Sequence, residues 1–301
     1  MWFKNLRIYR LTKEIDLSTE TLEAALEGHN FSPCANMDFS RYGWVAPLGR
    51  NSELYTHSSG GYTMICARKQ EKILPPAAVN EMVEEKVTDF EADQARNIYR
   101  KERRNIKDDV IHSLLPRALT RSFLIYAYFD LKNNLLIINA ASANKAEEFL
   151  DHLRATLGTL PVVPLTCLGD AADVMTRWLN QQAPKGFDLN NECELQSARE
   201  SKNIIRCKNQ ELESDEVMSH LKAGKRVTQL AIIWRENIEF ILCEDFAIKR
   251  LRFQDIVQED AQSEYDDDVT QFDQDFSVMT LQLNEFIEDL LKEFGGIDAS
   301  K

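Results

Sequence analysis

Four basic side chains in the middle of the chain recur at the spacing of one helical face. They are Arg96, Arg100, Arg103 and Lys107. Steps of four, three and four residues place all four on one side of a continuous helix, where they can bind the phosphates of a polyanion. Residues 94–121 as a whole hold eight Lys or Arg against three Asp or Glu, a local net charge of +5. A solvated helical face explains such a pattern more often than a polyanion site does, and Asp89 and Asp93 precede Arg96 closely enough to pair with it.

The residue types that catalyse reactions or bind metals lack the spacing that such chemistry needs. Five histidines stand apart, at positions 29, 57, 112, 152 and 220, and none belongs to an H-E-x-x-H or similar metal motif. The chain has no G-x-S-x-G, no Walker-type Gly-Lys-Ser/Thr and no G-x-G-x-x-G. Gly224-Lys225 follows a helical pattern instead of opening one, so it does not form a phosphate-binding helix N-terminus. We therefore expect a binding protein and not an enzyme, with no catalytic residue, metal or cofactor.

The negative charge of the chain is concentrated near its C-terminal end. The 301 residues carry a formal net charge of −13, and residues 255–298 contain fourteen Asp or Glu and one Lys. The rest of the chain is therefore neutral in sum. Acidity does not exclude nucleic acid, because binding depends on the local field where the phosphates lie. Asp266, Asp267 and Asp268 lack the D-x-D-x-D-G frame of a calcium loop, so we expect a solvated acidic loop there.

The N-terminal residues and the cysteines favour a reducing, cytoplasmic environment. The first seven residues carry charge and no long apolar run, so no signal peptide is expected. No window approaches eighteen apolar residues, so no membrane span is expected either. The six cysteines are scattered without a C-x-x-C pair, and four lie in apolar, strand-like segments. This favours reduced, mostly buried thiols over disulfides or a zinc site.

Apolar periodicity predicts an α+β protein with antiparallel sheets flanked by helices. Strand patterns cover residues 3–11, 62–69, 122–130, 135–139, 187–196, 203–208, 225–234, 238–243 and 247–253. Helical patterns cover residues 18–28, 77–115, 142–157, 170–182, 214–223 and 278–294. Short turns between successive strands predict hairpins, which build an antiparallel sheet in place of a doubly wound one.

Pro and Gly residues between 158 and 169 give the best candidate for a domain boundary. We expect residues 1–75 and 115–165 to form an N-terminal α+β region. Residues 76–114 would be one long helical segment inserted in it, and residues 166–301 a C-terminal α+β region ending in the acidic tail helix. The apolar stripe of the tail helix can dock on the chain's own body or on a second copy, and internal docking is the simpler expectation. The stripe consists of Met279, Leu283, Phe286, Ile287, Leu290 and Leu291.

Several ordered segments resemble the recombination-associated RdgC proteins of proteobacteria, and the resemblance spans essentially the whole chain. The segments of the first half are Trp2–Leu11 (WFKNLRIYRL), Phe31–Cys34 (FSPC), Gly43–Gly49 (GWVAPLG), Ile65–Pro75 (ICARKQEKILP), Glu91–Arg96 (EADQAR) and His112–Ala118 (HSLLPRA). Those that follow are Leu157–Pro164 (LGTLPVVP), Gly224–Ala231 (GKRVTQLA) and Leu251–Phe253 (LRF).

This resemblance implies a non-enzymatic protein that binds double-stranded DNA with little sequence preference. It also implies an elongated, curved protomer that forms a ring-shaped homodimer with a positively lined hole, association with the nucleoid in the cytoplasm, and restraint of the recombinase RecA. Family members usually carry Phe after Pro-Arg-Ala at the subunit junction, where this chain has Leu119 following Arg117-Ala118. A smaller apolar residue keeps a hydrophobic contact but weakens aromatic packing there.

A compact chain of this length has a radius of gyration of roughly 19 Å, comparable to the thickness of a duplex, so surrounding DNA requires two copies. We expect the inner surface of such a ring to be supplied by Lys69, Lys72, Arg96, Arg100, Arg103, Arg104, Lys107, Lys208, Lys225, Arg250 and Arg252. The main alternative is an acidic interaction protein. It would act on recombination or replication partners without touching DNA and use the acidic tail as a nucleic-acid mimic or docking arm.

Overall fold

Two antiparallel sheets and seven α-helices make up the part of the chain that the computed structural model describes. The described residues are 1–13, 15, 17–197, 203–255, 257 and 267–300. This architecture confirms the predicted α+β class with antiparallel sheets. No helix within these residues is long and apolar enough to cross a membrane.

The first sheet has seven strands in the order β2-β4-β5-β6-β1-β7, with β3 also paired to β4. The strands are β1 (Arg7–Leu11), β2 (Ser40–Val45), β3 (Thr56–Ser59), β4 (Tyr62–Lys72), β5 (Thr120–Asp130), β6 (Leu135–Ile138) and β7 (Val162–Pro164). Alternation along β4 sends Ile65 and Ala67 into a core shared with helices α1 (Thr19–Glu27) and α4 (Ala143–Leu157), while Met64 enters a second core on the opposite face.

The second sheet has five strands in the order β12-β11-β10-β8-β9. They are β8 (Phe187–Ser197), β9 (Ile204–Lys208), β10 (Lys225–Trp234), β11 (Ile238–Cys243) and β12 (Ile248–Phe253). Three helices cover one face of this sheet with their apolar side chains. They are α5 (Ala171–Gln181), α6 (Asp215–Lys222) and α7 (Asp268–Glu293). The opposite face carries a small apolar group, including Ala231 and Ile241, surrounded by charged side chains.

The N-terminal segment joins the two sheets. Leu6 and Ile248 exchange two backbone hydrogen bonds of 2.8 and 3.1 Å, so the residues before β1 pair with β12. Buried side chains of both sheets, including Tyr128 of β5 and Leu230 of β10, belong to one continuous core. Strands β1–β7 belong to the first sheet and strands β8–β12 to the second. The domain boundaries at residues 75, 115 and 165 remain predictions.

The predicted single helix over residues 77–115 is wrong, because the segment folds as a helical hairpin. Helix α2 (Pro76–Gln94) ends at Ala95, whose φ of 47° is left-handed, and helix α3 begins at Arg100 and ends at Leu114. Val79, Val83 and Val87 of α2 pack against Val110 of α3. A single extended helix would leave these valines exposed, and each buried Val contributes about 1.5–3 kcal/mol. The turn contains neither Gly nor Pro, so the sequence carries no strong signal for it.

Helix α7 confirms the predicted tail helix but begins ten residues earlier, at Asp268. Asp267 caps it, because its carboxylate accepts hydrogen bonds from the N–H groups of Val269 and Thr270, both at 3.3 Å. A hydrogen bond of 3.0 Å from the Thr270 hydroxyl, helped by these two backbone bonds, lowers the pKa of Asp267. The expected solvated acidic loop at 266–268 holds for Asp267, which is exposed and not helical. It is wrong for Asp268, which begins the helix, and Asp266 lies outside the described residues.

The apolar side of α7 packs on the protein's own core. Internal docking was the simpler of the two expectations for this helix. Phe286 packs against Phe240 of β11 with ring centroids 4.8 Å apart, and Met279, Leu283 and Leu290 are buried beside it. A docking arm would need this same side to be available, and internal packing covers it.

Candidate nucleic-acid interface

The exposed cations of α3 form the first candidate surface for a polyanion. Arg100, Arg104 and Lys107 follow at steps of four and three residues and therefore share one side of α3. All three are exposed, and none of their side chains makes an ion pair or hydrogen bond with another described residue. Their guanidinium and ammonium groups are consequently available to an external anion.

Arg103 lies close to the seam between the two helices and is less available. It pairs with Glu84 of α2, and both side chains are about half exposed, at 45% and 58%. An ion pair this exposed contributes little to stability, so a phosphate can displace the glutamate.

Arg96 does not share a helical face with the other cations, because it lies in the turn between α2 and α3. Its guanidinium donates two hydrogen bonds to Glu102, at 3.0 and 2.7 Å, and lies over the rings of Phe90 and Tyr99. The hydrogen bonds from Arg96 lower the pKa of Glu102 to about 2, helped by the Tyr99 N–H, which donates to the same carboxylate at 2.9 Å. Arg96 therefore builds the turn, and its donors already have an acceptor.

Lys69 and Lys72 of β4 already make hydrogen bonds within the protein. The ammonium group of Lys69 lies 2.8 Å from the carboxylate of Glu148 on α4, and that of Lys72 donates to the carbonyl of Leu115 at 2.8 Å. Both lysines are half-buried. A DNA contact by either would have to replace an existing hydrogen bond.

The open face of the C-terminal sheet is the second candidate surface. We use this name for the face of β8–β12 opposite the helices, with its charged residues Glu192, Glu194, Arg206, Lys208, Glu239, Arg250 and Arg252. The face contains a concave cavity of about 290 Å³ between β8 and β12, lined in part by Asn190, Glu239 and Arg250. The fold thus brings together Lys208, Arg250 and Arg252, which are as much as 44 residues apart in the sequence.

Lys225 lies away from the cations of the open face. It is half-buried at the start of β10. Gln229, four residues later on the same strand, lies beside Arg206 and Lys208. Four residues correspond to about 13 Å along a strand. The next residue, Arg226, pairs with Asp170 and Asp173 at the start of α5.

Arg206, Glu192 and Glu194 of the open face are not among the site residues predicted from the sequence. Glu192 and Glu194 alternate along β8 directly opposite Lys208 and Arg206 on β9. The two-residue spacing of acids on one strand and bases on the next is the sequence signal that could have found them.

Comparison with known proteins identifies the family of this chain. A family model described as "Putative exonuclease, RdgC" matches residues 1–297. The recombination-associated protein RdgC of Aeromonas hydrophila is 44% identical over 304 residues, which cover 100% of both chains. The protein of the same name from Tolumonas auensis is 41% identical over 298 residues, covering 98% of this chain and 99% of that one. The chain belongs to the RdgC family.

The described part of this RdgC-family chain can be compared with two kinds of site, a metal centre and a reactive thiol. Within those residues, no three His, Cys, Asp or Glu side chains are grouped so that they could bind a metal ion. The six cysteines are free, and Cys66, Cys193, Cys207 and Cys243 are buried in strands, as expected from their apolar contexts. Burial raises the pKa of Cys66 and Cys193 to about 12, so these thiols are poor nucleophiles at neutral pH.

One end of the first sheet exposes a cluster of large apolar side chains. Leu119 is 77% exposed, Phe39 55% and Ile73 41%. Backbone hydrogen bonds of 2.8 Å from Lys72 to Phe39 and from Ile73 to Leu119 place the three on adjacent chain segments. We call Phe39, Ile73 and Leu119 the tip patch. Exposed Arg117 lies two residues from Leu119 and belongs to the same end of the sheet.

Proposed function

We propose that this protein binds double-stranded DNA without sequence preference and acts as a non-enzymatic, homodimeric ring around the duplex. The observation that carries the proposal is the set of exposed α3 cations, Arg100, Arg104 and Lys107, which lack a partner among the described residues of an otherwise acidic protein. The cations of the open face supply a second surface. Since backbone phosphates are the same in every sequence, contacts of this kind give affinity without sequence discrimination.

A ring needs a junction between subunits, and the tip patch is the proposed one. Large apolar side chains exposed on adjacent chain segments are typical of protein–protein interfaces. Leu119, with Arg117 beside it, would pack against the same patch of a second copy around a two-fold axis. The second junction that closes the ring lies elsewhere on the curved protomer.

We further propose that the ring restrains RecA-mediated recombination by occupying DNA that the recombinase would otherwise cover. The RdgC relatives are named for an association with recombination, which fits such a role in the cytoplasm, at the nucleoid. In a strand-exchange assay, the protein should slow RecA when added to the DNA first and have less effect when added after RecA has bound.

Mobility-shift titration of a random-sequence duplex at low salt tests the DNA contact. The triple variant R100E/R104E/K107E should lose most of the shift while keeping its circular dichroism spectrum. The matched control K132E/K185E/K222E makes the same charge change at exposed lysines outside α3 and the open face, and it should retain most of the binding. If wild-type protein gives no shift, the proposal fails and the acidic interaction protein becomes the better explanation.

Salt dependence gives a second test of the same proposal. Six to ten phosphate contacts would lower the affinity by about three to five orders of magnitude between 50 and 200 mM salt. An affinity that does not depend on salt would contradict phosphate binding.

Exonuclease activity is the second candidate function, because the description of the matching family model names it. Incubation of the purified protein with an end-labelled duplex in Mg²⁺ or Mn²⁺ tests it. The binding proposal expects the label to remain on full-length strands. Release of nucleotides that depends on the metal and co-purifies with the protein would show that the non-enzymatic assignment is wrong.

A further inference from the structure

Carboxylates lie beneath the cations of the open face. Glu192 and Glu194 of β8 have side chains that are 29% and 13% exposed, whereas their partners Lys208 and Arg206 are 64% and 67% exposed. Arg206 lies 2.7 Å from Glu194, and Lys208 lies 3.7 Å from Glu192. The acids therefore form the floor of the surface, and the bases project above them.

Glu192 has a second cationic partner, which comes from the edge strand β12 on the same face of the sheet. Arg250 of β12 reaches it at 2.5 Å, although β10 and β11 lie between β12 and β8. On a flat sheet these two strands would be about 14 Å apart, so the Arg250 side chain extends across the concave face. Its backbone, with φ of 51°, lies where the pairing of β11 and β12 is irregular, and its N–H donates to Asn5 at 3.3 Å.

Any anion that binds Arg250 or Lys208 must therefore compete with Glu192. A carboxylate and a phosphate use the same donor geometry of a guanidinium group, so both cannot hold Arg250 fully at once. A phosphate placed above these cations would also lie close to the negative charge of Glu192. The pair with Arg250 is half-exposed, at 56% for the arginine, so phosphate can reach and break it.

We propose that Glu192 is an intramolecular competitor of DNA phosphate that lowers the affinity of the open face for a duplex. The inference rests on the proposed function and concerns the regulation of its second surface. Glu192 holds Arg250 and Lys208 in the free protein and returns to them when DNA leaves. The open face consequently binds phosphates more weakly than its four exposed cations would if no acid lay beneath them.

The test is the affinity of the full-length Glu192→Gln variant for a random-sequence duplex at 50 and 200 mM salt. The change removes one negative charge and keeps the size of the side chain. We expect binding about three- to tenfold tighter than wild type at 50 mM salt, with a smaller gain at 200 mM because salt screens the charge. The control Glu285→Gln removes the same charge from α7, where the carboxylate lies 3.1 Å from Arg235, and should leave affinity within twofold of wild type.

Arg250→Ala, measured alone and combined with E192Q, separates this inference from the proposed function. R250A should weaken binding, and E192Q should gain less in the R250A background, because one of the freed cations is then absent. Weaker binding by R250A together with unchanged or weaker binding by E192Q would overturn the inference and leave the proposed function standing. If R250A and K208A both bind DNA as wild type does, the open face is not part of the DNA site. That result would overturn its proposed role in DNA binding and the role of Glu192 as a competitor. Thermal unfolding of each variant shows whether it is folded.

Discussion

Internal acceptors divide the arginines of the helical hairpin into two groups. Arg96 is held by Glu102 and Arg103 by Glu84, whereas Arg100 and Arg104 have no acceptor among the described residues. A phosphate gains a full charge-assisted hydrogen bond from the second group but must replace a carboxylate at the first. Local charge density therefore overstates the number of arginines that are ready to bind DNA.

The difference between Arg104 and Arg96 gives the first prediction. Arg104→Ala should weaken duplex binding about three- to tenfold and reduce the salt slope by about one, because one phosphate contact is lost. Its melting temperature should stay at the wild-type value. Arg96→Ala should lower the melting temperature instead, since Glu102 loses two hydrogen bonds and the rings of Phe90 and Tyr99 are uncovered. Equal losses of affinity with no change in melting would contradict this division.

His152 gives a second prediction at the scale of a single residue. Its ring lies against Tyr42 and Trp44, with centroids 4.7 and 5.0 Å away, and its buried Nε2 has no hydrogen-bond partner among the described residues. Burial, with a smaller effect from His29, lowers the pKa of His152 to about 4. The unfolded chain, with a His pKa near 6.5, binds more protons between about pH 6.5 and 4. The His152 contribution to stability is therefore complete above pH 6.5 and declines as the pH falls to 4.

Urea unfolding of wild type and His152→Phe at several pH values measures that contribution. Wild type should lose about 1 kcal/mol more per pH unit than the variant between pH 6.5 and 4. The phenyl ring keeps the aromatic packing and cannot titrate, so other ionisable groups cancel in the comparison. Identical pH dependence of the two proteins would show that His152 takes up its proton equally in both states.

The α2–α3 hairpin is an element with a core of its own. Val79, Val83, Val87 and Val110 form a small buried cluster that is separate from the two large cores of the sheets. A segment with few buried contacts to the rest of the protein opens at a lower free energy than the whole protein unfolds. The proposed α3 surface can therefore loosen without disturbing either sheet.

Hydrogen exchange followed by mass spectrometry tests this independence. Amides of α2 and α3 should exchange faster than those of β4 and β5. Val110→Ala should accelerate exchange in the hairpin by about tenfold, because removing buried methyl groups costs about 1–2 kcal/mol. Exchange in β10 should be unchanged. If the acceleration spreads equally to the sheets, the hairpin opens only with the whole protein.

At the scale of the whole molecule, the proposed junction at the tip patch predicts how substitutions there change the association of two copies. Leu119→Phe should tighten the dimer several-fold, because an aromatic ring buries more area and stacks better at a two-fold junction. Leu119→Glu should weaken it by at least tenfold, since the apolar contact would be lost and a carboxylate would be desolvated in its place. Sedimentation velocity over a range of concentrations measures both.

The control for the tip patch is Leu281→Glu. Leu281 is 58% exposed on α7 and lies outside the patch, so this change should leave the association unchanged. A dimer that resists L119E but dissociates with L281E would move the junction from the tip patch to α7.

The sequence by itself determined the elements and their class. Side-chain alternation located nine of the twelve described strands, and three- and four-residue apolar spacing located the helices, because both depend on near neighbours in the chain. Alternation did not locate the short strands β2, β3 and β7. The apolar stripe of α7 predicted that this side of the helix is buried, and the folded structure decided that it packs on the chain's own core. The same reasoning missed the turn at Ala95, because α2 folds back against α3 to bury valines that belong to two different helices.

Only the tertiary structure decided which cations are free to meet a phosphate. Lys69 is satisfied by Glu148, 79 residues away in the chain, and Arg250 by Glu192 across two intervening strands. Strand pairing that no local pattern specifies brings the cations Lys208, Arg250 and Arg252 onto the open face. Backbone pairing likewise brings the three residues of the tip patch to one end of the first sheet. Charge and apolar content can be read from the order of residues. Whether a given side chain already has a partner depends on distances that only the folded chain establishes.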